Sequence, residues 1–189
     1  MNIWFNSKNL IHVSARLEVI KMPDYITFVY GVPTDEKKML IWNKMRDFTV
    51  NMSNSWLCLG DFNDVKAVTE KLGKLPINVR RVLNFEYMLA DCELMDLGYQ
   101  GSKFTWNNRR LGDEDVKERL DRAVANCEFR EDFQNALVTI VDLVGSDHHL
   151  LIVDYDYRSS LVPKTFRFEV IQAEHEKFPE VVRKGWEWR

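Results

Sequence analysis

At 189 residues, 46% hydrophobic and 29% charged, the chain has the size and composition of one ordinary globular domain, which excludes a disordered or fibrous protein. A formal net charge of -3 supplies no global field for nucleic acid, so any such contact has to be local. The N-terminus lacks the basic start and apolar stretch of a signal peptide, and no run approaches the ~18 apolar residues of a membrane span. Cys58, Cys92 and Cys127 lack zinc-like spacing and read as buried free thiols of a reducing compartment. A soluble, intracellular protein is expected.

Ile11, Val13, Ala15, Leu17 and Val19 alternate with polar residues, the period of a half-buried strand. Tyr25 to Tyr30 form a second β-rich run, ended by Gly31 and Pro33, and the two read as antiparallel neighbours. Thr34 is an N-cap with Asp35 and Glu36 behind it, and Ile41, Met45 and Phe48 follow at helical spacing, so 34–51 reads as an amphipathic helix. Ser55 to Leu59 form a strand. Val82, Phe85, Leu89 and Cys92 mark a second helix ending near Asp91. A short strand at Lys103–Trp106 precedes an exposed charged stretch, Asn107 to Glu118. Arg119–Val124, Val138–Val144 and Leu150–Tyr155 read as strands, and Phe129–Phe133 as a helical turn. Consecutive strands with few helices predict an α+β sandwich with mostly antiparallel sheets. From Pro163 on, Ile171, His175, Phe178, Val182 and Trp186 form a helical stripe that Pro179 interrupts.

The chemistry-bearing residues stand where predicted strands end. Gly60-Asp61-Phe62-Asn63 follows Trp56-Leu57-Cys58-Leu59, and Ser146-Asp147-His148 follows Ile140–Val144. If the pleat continues, Asp61 and Asn63 point to one side and Phe62 into the core. A carboxylate there can deprotonate a water, and the amide can donate to a phosphate oxygen. Asp147 offers a metal or acid ligand beside the imidazole of His148, while strand alternation sends His149 to the other face. Asp121 either orients that imidazole or forms a salt bridge with Arg119 or Arg122. Lys103 to Arg110 interleave basic and aromatic groups, in which Arg can clamp phosphates and Trp106 can stack on bases. The bland reading packs Phe104 and Trp106 in the core and pairs Arg109 and Arg110 with Asp113, Glu114 and Asp115. His12 and His175 receive no role.

Taken in order, Phe28-Val29-Tyr30-Gly31-Val32-Pro33, Gly60-Asp61-Phe62-Asn63, Asp96-Leu97-Gly98 with Phe104-Thr105-Trp106-Asn107, Glu118-Arg119-Leu120-Asp121-Arg122 and Ser146-Asp147-His148 resemble the endonuclease/exonuclease/phosphatase superfamily. They look most like the endonuclease domain of plant LINE-type (non-LTR) retrotransposon polyproteins. The resemblance implies a four-layered α/β sandwich with two central sheets, and phosphodiester hydrolysis dependent on Mg²⁺ or Mn²⁺. It implies that Asp61 activates water and that Asn63 and Tyr30 hold the phosphate. His148, oriented by Asp121, would stabilise the phosphorane, with Asp147 at the metal. Trp106, Asn107, Arg109 and Arg110 would meet DNA, in the nucleus and with no small-molecule cofactor. A phosphomonoesterase of the same superfamily is the rival activity.

The superfamily's early Asn and its metal-binding Glu have no counterpart ahead of the tyrosine segment. Residues 1–160 therefore resemble the C-terminal two-thirds of such a domain, lacking its first strands, and 161–189 a linker-like helical tail toward a reverse transcriptase. The expectation is an impaired endonuclease domain, or a catalytically inactive retrotransposon remnant.

Overall fold

β-rich runs and amphipathic stripes along the chain become strands β1 (Asn2–Asn6), β2 (Leu10–Ser14), β3 (Tyr25–Tyr30) and β4 (Trp56–Asp61), with helix α1 (Asp35–Thr49) crossing between the last two. After a 3-10 turn at Val68–Glu70 come β5 (Lys71–Leu72), helix α2 (Val79–Asp91), β6 (Met95–Asp96), β7 (Gln100–Gly101) and β8 (Trp106–Asn107). A second 3-10 turn leads to β9 (Lys117–Glu118), β10 (Asp121–Ala125), helix α3 (Cys127–Asp132), β11 (Leu137–Val141) and β12 (Leu150–Asp154). This computed structural model describes residues 2–15, 22–50, 52–74 and 76–157, together with Glu180 and Arg183. The described residues up to Tyr157 form one compact unit, and a second unit runs from Arg158 to Arg189. The predicted stripe beyond Pro163, and the predicted strand residues Leu17 and Val19, lie outside the described residues.

Six strands make the main sheet in the order β1-β2-β3-β4-β10-β6, antiparallel throughout except where β3 runs parallel to β4. That exception needs a crossover, and α1 supplies it. A second sheet, β12-β11-β7, and a small third one of two-residue strands, β5-β9-β8, complete the pairing among the described residues. The architecture is α+β, as the run of consecutive strands predicts.

Two cores follow from strand alternation. One face of the main sheet presents Leu10, Val29, Trp56, Cys58 and Val124 to α1 and α2, where Trp42, Met45, Phe85 and Met88 are completely buried. Cutting Trp42 back to Ala would remove about 3–5 kcal/mol. The opposite face sets Leu57, Ala123 and Ala125 against Phe129, Phe133, Val138 and Ile140, joining the main sheet to β11. Farther along that face, Ile11 and Phe28 are exposed across from one another in register.

Several boundaries differ from the sequence reading. An unpredicted hairpin, β1–β2, opens the sheet. His12 lies in the core and not on a polar face, its ring stacked on Phe48 with centroids 4.2 Å apart. β11 stops at Val141 and leaves Leu143 and Val144 exposed. Cys58 and Cys92 are buried, as expected, but Cys127 is exposed because it opens α3 on its outer side. No helix among the described residues is long and apolar enough to cross a membrane.

Candidate active site

Three of the singled-out residues stand in one row. β3 and β4 pair Tyr30 with Asp61, and β4 and β10 pair Asp61 with Asp121. Register partners on adjacent strands share a face, so the three side chains line one end of the sheet at strand spacing, ~5 Å per step. Gly60 makes the close approach possible. Its φ is +135°, and a Cβ there would sit 2.2 Å from the Val29 carbonyl oxygen of β3.

His148 joins this row from a loop. Asn107 donates its N–H to the Asp147 carbonyl at 3.0 Å, and His149 donates to the Thr105 carbonyl at 2.8 Å, so Ser146–His149 is laid as an extra rung beside Thr105–Asn107. Thr105 is completely buried, and its Oγ1 accepts the N–H groups of Leu120 and Asp121 at 2.9 and 2.8 Å. One side chain thus fixes the start of β10, and the same residue's carbonyl holds the histidine loop. The outcome is a 2.9 Å contact between His148 Nδ1 and Asp121 Oδ2. His149 turns to Asp142 instead, at 3.2 Å.

The electrostatics follow from this geometry. The Asp121 hydrogen bond raises the His148 pKa against the opposing effect of burial. With Nδ1–H given to Asp121, Nε2 is the ring nitrogen left over, an acceptor in the neutral ring and a donor in the imidazolium. Burial, reinforced by the charge of Asp121, pushes the Asp61 carboxyl up and makes it a stronger base than a free carboxylate. Asp147 is exposed, and Trp106 Nε1 donates to its Oδ2 at 3.1 Å, which lowers its pKa. Asn63 does not continue the pleat. The strand ends at Asp61, Phe62 is fully buried, and Asn63 turns into the left-handed region with φ 54° while its N–H donates to Asp61 Oδ1 at 2.7 Å.

Asp121 does not pair with Arg119 or Arg122, the alternative left open by the sequence. Both arginines are buried and tied to Glu70 and Asp96 by four contacts of 2.7–3.0 Å. Burial opposes ionisation of Glu70 and Asp96, but the hydrogen bonds and charges of the arginines outweigh it and hold both carboxyls below their ordinary values. On the far side of the histidine loop lies an open cleft of about 700 Å³ whose lining includes Lys71, Trp106, Asn107, Arg109, Arg110 and Asp147, and not Tyr30, Asp61, Asp121 or His148. Trp106 is half-buried at its wall and so neither packs the core nor stands free. Arg110 pairs with Glu114 at 3.0 Å, whereas Arg109, with φ 56°, has no ion pair among the described residues. Sequence reasoning missed Lys38, Asp64, Arg81 and Thr105. A lysine on the apolar stripe of α1, one turn before Ile41 and Trp42, was the available signal for Lys38.

A divalent cation is implied by the resemblance, and the donor set can be tested against it. Asp61 Oδ1 accepts from Asn63, Asp121 Oδ2 is taken by His148 and Asp147 Oδ2 by Trp106. Among the described residues no three His, Cys, Asp or Glu side chains are grouped to hold a metal ion. Each of these carboxylates keeps its other oxygen, so together they offer only part of a ligand set for Mg²⁺ or Mn²⁺.

No protein-family model matches the sequence, and no curated protein does. Solved structures do match the fold. A 3'-5' exonuclease from Neisseria meningitidis superposes with a TM-score of 0.55 at 17% identity, over 79% of this chain and 65% of its own. The endonuclease domain of TRAS1, a telomere-specific non-LTR retrotransposon, gives 0.53 at 21% identity, over 79% and 64%. Beta toxin from Staphylococcus aureus gives 0.50 at 15% identity, over 79% and 57%. The chain has the endonuclease/exonuclease/phosphatase fold. It spans less than two-thirds of the length of each of these structures.

Proposed function

We propose that this chain is a DNA-directed phosphodiester hydrolase module of the retrotransposon-endonuclease type, with impaired cleavage, working beside a reverse transcriptase domain of a parent polyprotein in the nucleus. The observation that carries the reading is the Tyr30–Asp61–Asp121 row with His148 bonded to its end. Function is argued here from that site, since a fold alone hosts many activities.

In this reading Tyr30 and the Asn63 amide hold two oxygens of a backbone phosphate. Asp61, with its raised pKa, takes the proton of an attacking water. His148, in its protonated form, which the Asp121 hydrogen bond favours, donates from Nε2 to the phosphate as negative charge builds on it. Asp121 holds the ring in one tautomer and orientation. Trp106, Asn107, Arg109 and Arg110 receive the strand on either side, through phosphate contacts and stacking. Mg²⁺ or Mn²⁺ would supply Lewis-acid stabilisation in a complete site of this kind. The incomplete donor set is the reason for proposing impaired cleavage, and it favours a second reading, an inactive remnant that still binds DNA.

Relaxation of supercoiled plasmid by the purified chain in Mg²⁺ or Mn²⁺ tests this. Slow nicking that disappears in Asp61→Ala and in His148→Ala is the expected result. Robust nicking would refute the impairment. DNA binding without any nicking would leave the inactive-remnant reading, and absence of both would overturn the assignment to DNA.

A further inference from the structure

Asn63 sits just past β4 with φ 54°, a left-handed conformation that asparagine tolerates better than most residues, and its surroundings tie it down there. Those surroundings are unusual. Its carbonyl accepts from Lys38 Nζ at 2.7 Å and from Arg81 Nη2 at 2.8 Å. The two cations come from different helices, α1 and α2, and share one counter-ion. Asp64 Oδ2 lies 2.8 Å from Lys38, and its Oδ1 lies 2.8 Å from Arg81. The Lys38 and Asp64 side chains are only 4% and 3% exposed, against 28% for Arg81.

A buried ion pair is weak evidence of a stabilising role, because desolvation offsets most of the attraction. Burial indeed works against both charges, lowering the Lys38 pKa and raising that of Asp64. An arrangement needed only to join α1 to α2 would be complete with Asp64. Here each cation also gives a hydrogen bond to the carbonyl of the residue next to it. The side-chain amide of Asn63 has no partner among the described residues, so the clamp fixes the Cα from which a free amide projects.

We infer that Lys38 and Arg81 are positioning residues that hold Asn63 so that its amide meets a phosphodiester oxygen of nucleic acid. The inference rests on the phosphodiester-directed reading above. Asp64 keeps the two cations in place, and its position directly after Asn63 puts that counter-ion at the point of need.

The test is an NMR titration of the ¹⁵N-labelled full chain with thymidylyl-thymidine, a dinucleotide carrying one phosphodiester. Two probes are followed: the Asn63 side-chain amide, assigned by its loss in Asn63→Ala, and the imidazole of His148. In the wild type both should respond. In Arg81→Gln and Lys38→Met the affinity reported at Asn63 should weaken on the order of tenfold, the loss of about one hydrogen bond. The His148 pKa, set by Asp121 on another element, should stay raised, and Arg81→Lys should restore part of the binding. The triple variant Lys38→Met, Asp64→Leu, Arg81→Met leaves no unpaired buried charge, so it should keep the fold while showing the same loss. Wild-type affinity at Asn63 in these variants overturns the inference. Collapse of the His148 signature together with the Asn63 response assigns the cluster to the core and overturns it too. Silence of both probes in the wild type sinks the phosphodiester reading itself, and the positioning role with it.

Discussion

His12 makes the stability of this protein steeply pH-dependent on the acid side. Its ring is 4% exposed, stacked on Phe48 and Tyr25, and its Nδ1 lies 2.7 Å from Thr27 Oγ1. That hydroxyl oxygen also accepts from Trp56 Nε1 at 2.8 Å, and its proton can be donated to the unprotonated Nδ1. Charging the ring would place a cation in a dry site, and burial lowers the His12 pKa from 6.5 to about 4. A histidine depressed in the folded state costs nothing above pH 6.5, where both states are neutral. Below it the unfolded chain takes up a proton that the native protein refuses. Stability should therefore fall by about 1.4 kcal/mol per pH unit between 6.5 and 4, roughly 3 kcal/mol in all. Urea unfolding at pH 7 and pH 4.5, followed by tryptophan fluorescence, measures the loss. His12→Gln, which cannot titrate, should flatten the difference between the two pH values relative to wild type. The carboxylates contribute equally to both proteins and cancel in that comparison. An identical pH slope in His12→Gln would refute the reasoning.

Two more outcomes follow from the site's scaffold. Thr105→Val leaves the N–H groups of Leu120 and Asp121 buried without an acceptor and should cost roughly 2–4 kcal/mol by denaturant midpoint, whereas Thr105→Ser keeps most of that stability. Asp121→Asn should drop the His148 pKa toward its ordinary value, read by NMR titration of the imidazole, and draw the alkaline limb of any cleavage profile to lower pH. A His148 pKa unmoved in Asp121→Asn would show that the contact does not control the ring.

Much of the frame is legible in local pattern. The stripe Ile41, Met45, Phe48 and that of Val82, Phe85, Leu89 locate α1 and α2 because each helix buries one side against a sheet. β1 escaped because Asn2–Asn6 has only intermediate or exposed residues and owes its strand to pairing with β2. His12 was misplaced because strand alternation assumes one wet face, while β2 carries Leu10 and His12 on one side and Val13 on the other, all buried. Within the site, Asp61, Asp121, His148 and Tyr30 could be named from strand-end motifs. The partners of Arg119 and Arg122 could not, since Glu70 and Asp96 lie far off in sequence and one of them stands in a polar loop. Asn63 showed the limit of the pleat argument. It holds only while the strand lasts, and a side chain one residue past the end obeys its own hydrogen bonds.

The row Tyr30–Asp61–Asp121 has a consequence for the order in which the molecule can come alive. Its first junction, β3 to β4, is closed by the crossover that α1 makes. Its second, β4 to β10, joins residues some sixty positions apart across the whole of α2 and the small β5-β9-β8 sheet. Loop-closure entropy places such a contact late in folding. Without β10 in place only half the row exists, with Asp61 facing no carboxylate and His148 no anchor. Since strand faces alternate, a β10 paired one residue out of step would bury Asp121 on the helix side and present its neighbour instead. Competence is thus a single late event. Under the phosphodiester-directed reading proposed above, a chain in which β10 has not paired in register lacks Asp121 and His148 at the row.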